Sequence, residues 1–206
     1  MKIDTPRGRG TGPRGFDGAG ARLVAPLMAR LNRDMELAAL DELEPEPNDR
    51  VLCIGFGPGV GVAALTERLV EGTVCGIDPS AAMGETALRH NARAVESGRV
   101  VLRRAAAESI PWSADTFDAV VAVNCIQLWR PLQAGVSEVA RVLRAGGPLV
   151  ALTHVWAIEK LDPIERWSET LERACAGFGI HVVTSTIRRF RSGPGLVVRA
   201  ERETRV

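Results

Sequence analysis

The densest chemical signal in this chain is the pentapeptide Gly55-Phe56-Gly57-Pro58-Gly59, set directly after the apolar run VLCI and before a segment with helical periodicity. Glycines let a backbone turn tightly and approach a bound molecule closely. A helix starting near Val60 aims its free N–H groups and the positive end of its dipole into the same space. A dinucleotide loop wants its third glycine five positions after the first. Here Gly59 follows Gly55 by four, and Val60 stands at the fifth. That spacing counts against a nicotinamide or flavin dinucleotide. Roughly 20 residues past the glycines, Asp78-Pro79 ends a second apolar run, at the separation from which a carboxylate reaches ribose hydroxyls.

A second group of residues lies farther along. Ligands of open α/β sheets bind beyond the carboxyl ends of the strands. Asn124, Gln127 and Trp129 follow the run FDAVVAV, and His154 and Trp156 follow PLVALT, so they fall on the substrate side. His154 is the first candidate for a general base, because an imidazole titrates near neutral pH. The competing reading is a satisfied histidine at a strand end. Trp112, Trp129, Trp156 and Trp167 either line an apolar acceptor pocket or pack in the core; His90 and His181 read as structural or exposed. The four cysteines form no CxxC pair and no metal-like spacing with histidine. No metal site is expected, and buried free thiols suit a reducing cytoplasm.

The elements that must position these groups follow from the pattern. Residues 1–18, rich in Gly, Pro and Arg, read as a flexible arm; Arg7, Arg9 and Arg14 belong to it. Leu23, Leu27 and Leu31 share one helical face and Leu37, Leu40 and Leu43 another, with Asp34 as an N-cap. Segment 19–44 is therefore helical, and Pro45 and Pro47 break it. Residues 50–155 then alternate strand and helix. Val62, Leu65 and Leu69 give the first core helix its buried face, closed by Gly72, and Ser80 caps the next one. Leu161, Ile164, Trp167 and Leu171 define a later helix. Two β-rich stretches flank Arg191-Ser192-Gly193-Pro194-Gly195, a hairpin signal. The expected fold is a Rossmann-like, doubly wound α/β domain, a mostly parallel seven-stranded sheet whose C-terminal hairpin (within 156–206) adds an antiparallel edge.

Over about residues 50–153 the chain resembles the class I S-adenosylmethionine-dependent methyltransferases. The resemblance runs through VLCIGFGPGVGVAALTERL, GTVCGIDPSAAM, AAAESIPWSADTFDAVVAVNCIQLW and EVARVLRAGGPLVALT. It implies S-adenosylmethionine as cofactor and S-adenosylhomocysteine as product. By the same resemblance the loop of Gly55, Phe56, Gly57 and Gly59 wraps the methionine part, and Asp78 holds the ribose. Pro79 and Met83 flank the adenine, Ala106, Ala107 and Glu108 contact it, and Asn124 meets the methionine amino group or the substrate. Segment 19–44 is expected as a cap or lid. Two positions depart from the family pattern. Cys53 replaces an acid within the first strand, an anion that helps organise the ammonium end, and Ala106 replaces an acceptor for the adenine amino group.

Composition narrows the acceptor. With 26 basic against 25 acidic residues the formal charge is +1, without the basic excess of a duplex-binding domain. No apolar run approaches the ~20 residues of a membrane span, and the amino terminus lacks the apolar stretch of a secretory signal. Asn124-Cys125-Ile126-Gln127 stands where amino-methylating enzymes carry an Asn-Pro-Pro-Tyr-like motif. The reading is methyl transfer to a small molecule by a monomer or homodimer. Its alternative is a related protein that binds the cofactor without methylating, as a cyclase-type enzyme or regulatory partner.

Overall fold

The computed structural model describes residues 32–204. The expected arm over 1–18 and the Leu23, Leu27 and Leu31 face lie outside the described residues. Seven strands form one sheet: β1 (Arg50–Ile54), β2 (Thr73–Asp78), β3 (Val100–Arg104), β4 (Ala119–Val123), β5 (Pro148–His154), β6 (Ile180–Phe190) and β7 (Gly193–Arg202). Their order is β3-β2-β1-β4-β5-β7-β6. Strands β1 to β5 pair in parallel, whereas β7 runs antiparallel to both β5 and β6. This is the expected mixed sheet with its antiparallel hairpin.

Helices cover both faces: α1 (32–43), then α2 (Val60–Arg68), α3 (Ala81–His90), α4 (Ala92–Glu96), α5 (Leu132–Val142), α6 (Val155–Glu159) and α7 (Ile164–Ala176). Strand alternation divides the core in two. Leu52 and Ile54 of β1 face α5 and α7, packing with Val136, Val139 and Leu171. Val51 and Cys53 face the other way, into Met35, Leu40, Val62 and Leu65 of α1 and α2. Every residue of β4 is buried, as both-face coverage of a parallel strand requires. Among the described residues no helix is long and apolar enough to cross a membrane.

Four local expectations are corrected. Asp34 does not cap a helix, because residues 32 and 33 are already helical. Its carboxylate instead accepts a hydrogen bond from the Arg191 N–H at 2.7 Å, fastening α1 to the β6–β7 turn. Gly72 does not close α2; Leu69 is the C-cap. Glycine is required at 72 by proximity, since a Cβ there would stand 2.3 Å from the Asp49 carbonyl oxygen. The helix read from Leu161 starts only at Ile164, after Asp162-Pro163, leaving Leu161 exposed, and the short α6 before it was not expected. The helix capped by Ser80 breaks at Asn91, whose side-chain amide donates to the carbonyls of Gly59 (3.1 Å) and Ala87 (2.9 Å).

Helix α1 is a fastened member of its layer. Met35, Ala39, Leu40 and Leu43 are buried against the sheet, and Glu42 pairs with Arg188 of β6 at 3.3 Å. The first turn of α1, through Asn32 and Met35, reaches the carboxyl ends of β4 and β5, and the chain order parts at β1 toward β2 on one side and β4 on the other. Such a switch point opens a crevice beyond the strand ends.

Candidate active site

The loop leaving β1 is built by hydrogen bonds to β2. Gly55 and Phe56 donate their N–H groups to the Ile77 carbonyl at 2.8 and 3.3 Å, and Gly59 donates to the Phe56 carbonyl at 2.9 Å. Gly57 adopts a left-handed φ of +50°, and a Cβ at that residue would meet nothing within 4 Å, so this side of the loop faces open space. Gly59, at φ +89°, is the opposite case: a Cβ there would lie 2.6 Å from the Asn91 amide and 2.9 Å from Ala87. One glycine leaves room for a ligand; the other lets the loop nest against α3.

Asp78 ties loop to strand. Its Oδ2 accepts from the Gly57 N–H at 2.9 Å and its Oδ1 from the Ser80 N–H at 2.8 Å. Ser80 Oγ in turn accepts from the Met83 N–H at 3.3 Å, capping α3 as expected. The carboxylate therefore sits within reach of the loop whose glycines open toward ligand space.

The other proposed cofactor contacts distribute unevenly around this centre. Pro79 is exposed at the rim, its carbonyl accepting from Arg104 Nε at 2.9 Å. Met83 is buried beside Ala82. Phe56 turns its ring into the α1–α2 core, where a Cβ on Gly76 would touch it at 2.8 Å, so only its backbone faces the loop. Ala107 packs in the α5–α7 core while Ala106 stays partly exposed. Glu108 is engaged as an acceptor, since its Oε1 takes the Arg130 N–H.

Beyond β4 and β5 a different arrangement holds. Asn124 is left-handed at φ +53°, a conformation asparagine tolerates, and its Oδ1 accepts from the His154 N–H at 3.1 Å. Its Nδ2 lies 3.8 Å from Met35 Sδ on α1. Gln127 is buried and occupied: Nε2 donates to the Asn124 carbonyl at 3.1 Å, and Oε1 accepts from Thr153 Oγ1 at 3.3 Å. Trp129, expected in an acceptor pocket, is only 4% exposed and packs in the core. A Cβ on Gly135 would meet its ring at 2.4 Å, so α5 is shaped around this indole. Both side chains serve the scaffold and are corrected as pocket residues.

His154 and Trp156 do meet. Their rings stack with centroids 5.5 Å apart and planes at 28°. Trp156 is 50% exposed, and Lys160 Nζ lies 4.5 Å from its ring centre. His154 is 6% exposed, and burial pushes its pKa below the usual imidazole range, which keeps the ring neutral at neutral pH. Its Nε2 lies 3.3 Å from Asn32 Oδ1. Since a carbonyl oxygen can only accept, Nε2 carries the hydrogen and Nδ1 presents a lone pair. That Nδ1 is buried with no hydrogen-bond partner among the described residues.

Three participating residues escaped the sequence reading. Asn91 and Asn32 carry no local motif. Glu36 was legible in principle, since an acid at 36 falls on the same helical stripe as Ala39, Leu40 and Leu43. A charge in a core-facing stripe asks for a reason.

Comparison with known proteins agrees with the fold and the loop. Residues 51–147 match the family described as a methyltransferase domain. The uncharacterized methyltransferase YdaC of Bacillus subtilis (strain 168) is 31% identical over 121 residues, covering 59% of this chain and 65% of that protein. The ubiquinone/menaquinone biosynthesis C-methyltransferase UbiE of Geotalea daltonii is 30% identical over 125 residues, covering 59% of this chain and 52% of its own length. The chain thus spans a little under two thirds, or about half, of the curated relatives it matches. The crystal structure of the [4+2]-cyclase SpnF superposes with a TM-score of 0.74 over 91% of this chain and 96% of the cyclase. At 14% identity that likeness speaks for the fold alone. The methyltransferase-domain match and these relatives support a class I S-adenosylmethionine-dependent methyltransferase, with S-adenosylmethionine as the cofactor.

The residues present fit this cofactor. An open-faced glycine, a loop–acid hydrogen bond and a helix N-terminus converge on one crevice, and each suits a nucleoside joined to an amino acid.

Proposed function

We propose that the protein transfers the methyl group of S-adenosylmethionine to a small-molecule acceptor by in-line displacement. The observation that carries this reading is the bond between Asp78 and the Gly57 N–H, which joins a ribose-type acceptor to a glycine loop open on its outer side. Loop 55–59 and Asp78 bind the cofactor, with Pro79, Met83, Ala106 and Glu108 toward the adenine. The cofactor supplies an already activated methyl group, so the protein's main work is alignment, and proximity alone is worth several kcal/mol. His154 and Trp156 form the acceptor side, with Asn124 between acceptor and cofactor. Where the accepting atom is a phenol or alcohol, the free lone pair of His154 Nδ1 takes its proton. The small size of the acceptor is supported by the nearly balanced charge.

A second reading has one observation in its favour. Strand β1 carries Cys53, a thiol that burial pushes well above its ordinary pKa and keeps neutral. A chain lacking an anion there could hold the cofactor without spending it, and the cyclase SpnF shares the fold. One experiment separates the two. Calorimetric titration with S-adenosylmethionine should show binding, lost on Asp78→Ala. Incubation with a panel of phenols, quinols and amines should then yield S-adenosylhomocysteine. Binding without any demethylated cofactor would favour the second reading, and no binding at all would reject both.

A further inference from the structure

Among the described residues Glu36 is a carboxylate without a counter-charge in a place that demands one. It projects from α1 onto the first turn of α2, where a Cβ added to Gly61 would stand 2.3 Å from its Oε2. Gly61 comes two residues after the last glycine of the loop. Among the described residues no group donates a hydrogen bond to Glu36 and no cation pairs with it. Its titratable neighbours are Cys53 on β1 and Cys125 after β4, two thiols that also feel Asp78 at the end of β2. Burial pushes both thiols up, so they are neutral near pH 7. Among the described residues the crevice therefore presents two acids, Glu36 and Asp78, and no base beside Glu36.

Half-burying a carboxylate with no partner among the described residues is costly, and a group so placed either takes up a proton or waits for a positive partner. Desolvation pushes the pKa of Glu36 to about 8. A methionyl group suits the site, because its carboxylate can face the N–H groups of α2 while its ammonium faces the acid.

We propose that Glu36 is the anionic contact for the ammonium group of the cofactor's methionyl moiety, delivered to the glycine loop from helix α1 rather than from strand β1. The inference rests on the cofactor reading given above, and it assigns α1 a binding role. Position 53 can then be a neutral thiol, because the negative charge arrives from the layer above it. Since the ammonium stabilises the ionised acid, cofactor binding near pH 7 releases a proton from Glu36.

The test compares three ligands by calorimetry on the full chain: S-adenosylmethionine, S-adenosylhomocysteine and 5′-methylthioadenosine, which lacks the aminoacyl group. Glu36→Gln should weaken the first two at least tenfold and leave the third within twofold. Asp78→Asn should weaken all three. Wild-type binding of S-adenosylhomocysteine should show a heat that varies with buffer ionisation enthalpy, and Glu36→Gln should abolish that variation. Gly61→Ala keeps the charge but pushes Oε2 aside, and it should reproduce the ligand-selective loss. Equal weakening of all three ligands by Glu36→Gln would overturn the assignment by showing a merely structural role. Loss for S-adenosylmethionine alone would move the contact to the sulfonium, and unchanged affinity would remove it. If wild type binds none of the three, the cofactor reading itself fails.

Discussion

The two sides of the crevice are built by different means. On the β1–β2 side, the loop and Asp78 are joined by backbone hydrogen bonds within a stretch of 24 residues, 55–78. On the β4–β5 side, His154 meets Asn124 across 30 residues of chain and Asn32 across 122. The first is a local motif whose geometry is set by main-chain groups that every sequence possesses. The second is a meeting of side chains from three elements, and it exists only once α1 has docked. A site for an invariant cofactor can be made of backbone, whereas a site for a variable acceptor is made of replaceable side chains.

Four measurements break or sharpen this contrast. Trp129→Ala has the largest expected effect. If the indole is scaffold, the variant loses ~3–5 kcal/mol of stability in denaturant unfolding, the cost of emptying a large aromatic site. A stable variant with altered acceptor affinity would instead return Trp129 to the pocket. Next comes Asp78→Ala, which unpairs the N–H groups of Gly57 and Ser80. Cofactor affinity should drop ~100-fold, about 3 kcal/mol, while stability falls by a smaller amount.

His154 tests the acceptor side. With its pKa held below the unfolded value, the folded state resists protonation, so His154 adds stability above about pH 6.5 that is lost as pH falls through the lowered value. Turnover of a protonated acceptor should persist below pH 6.5 before falling. His154→Gln should reduce it ~100-fold and remove that limb of the pH–rate profile. An unchanged profile would leave His154 a structural cap of α6. Trp156→Ala is expected to be the mildest. Half exposed, it should change stability by less than ~0.5 kcal/mol and raise the KM for acceptor severalfold with the cofactor Kd unchanged.

Legibility in the sequence followed the same division. VLCI and AVVAV were readable as buried parallel strands because covered strands are apolar on both faces, and the hairpin because its turn residues are local. Asp78 was readable because strand, loop and helix lengths fix how far an acid lies from the glycines. Trp129 and Gln127 were placed at the correct strand end, yet their direction was not readable. A residue after a strand can point into the crevice or back under the next helix, and for Trp129 the choice fell to a helix whose Gly135 leaves space for the ring. Asp34 was misread for a similar reason: a cap and a tertiary latch ask for the same residue type.

By itself, then, the amino-acid order determined the strand–loop–helix rhythm, the glycine loop and the acid opposite it, since these depend on periodicity and short-range backbone geometry. Tertiary structure alone decided that His154 stacks on Trp156, that Asn32 meets His154, and that Glu36 comes to rest beside Gly61. The last two contacts join residues far apart in the chain, and only the packing of α1 onto the sheet brings them together.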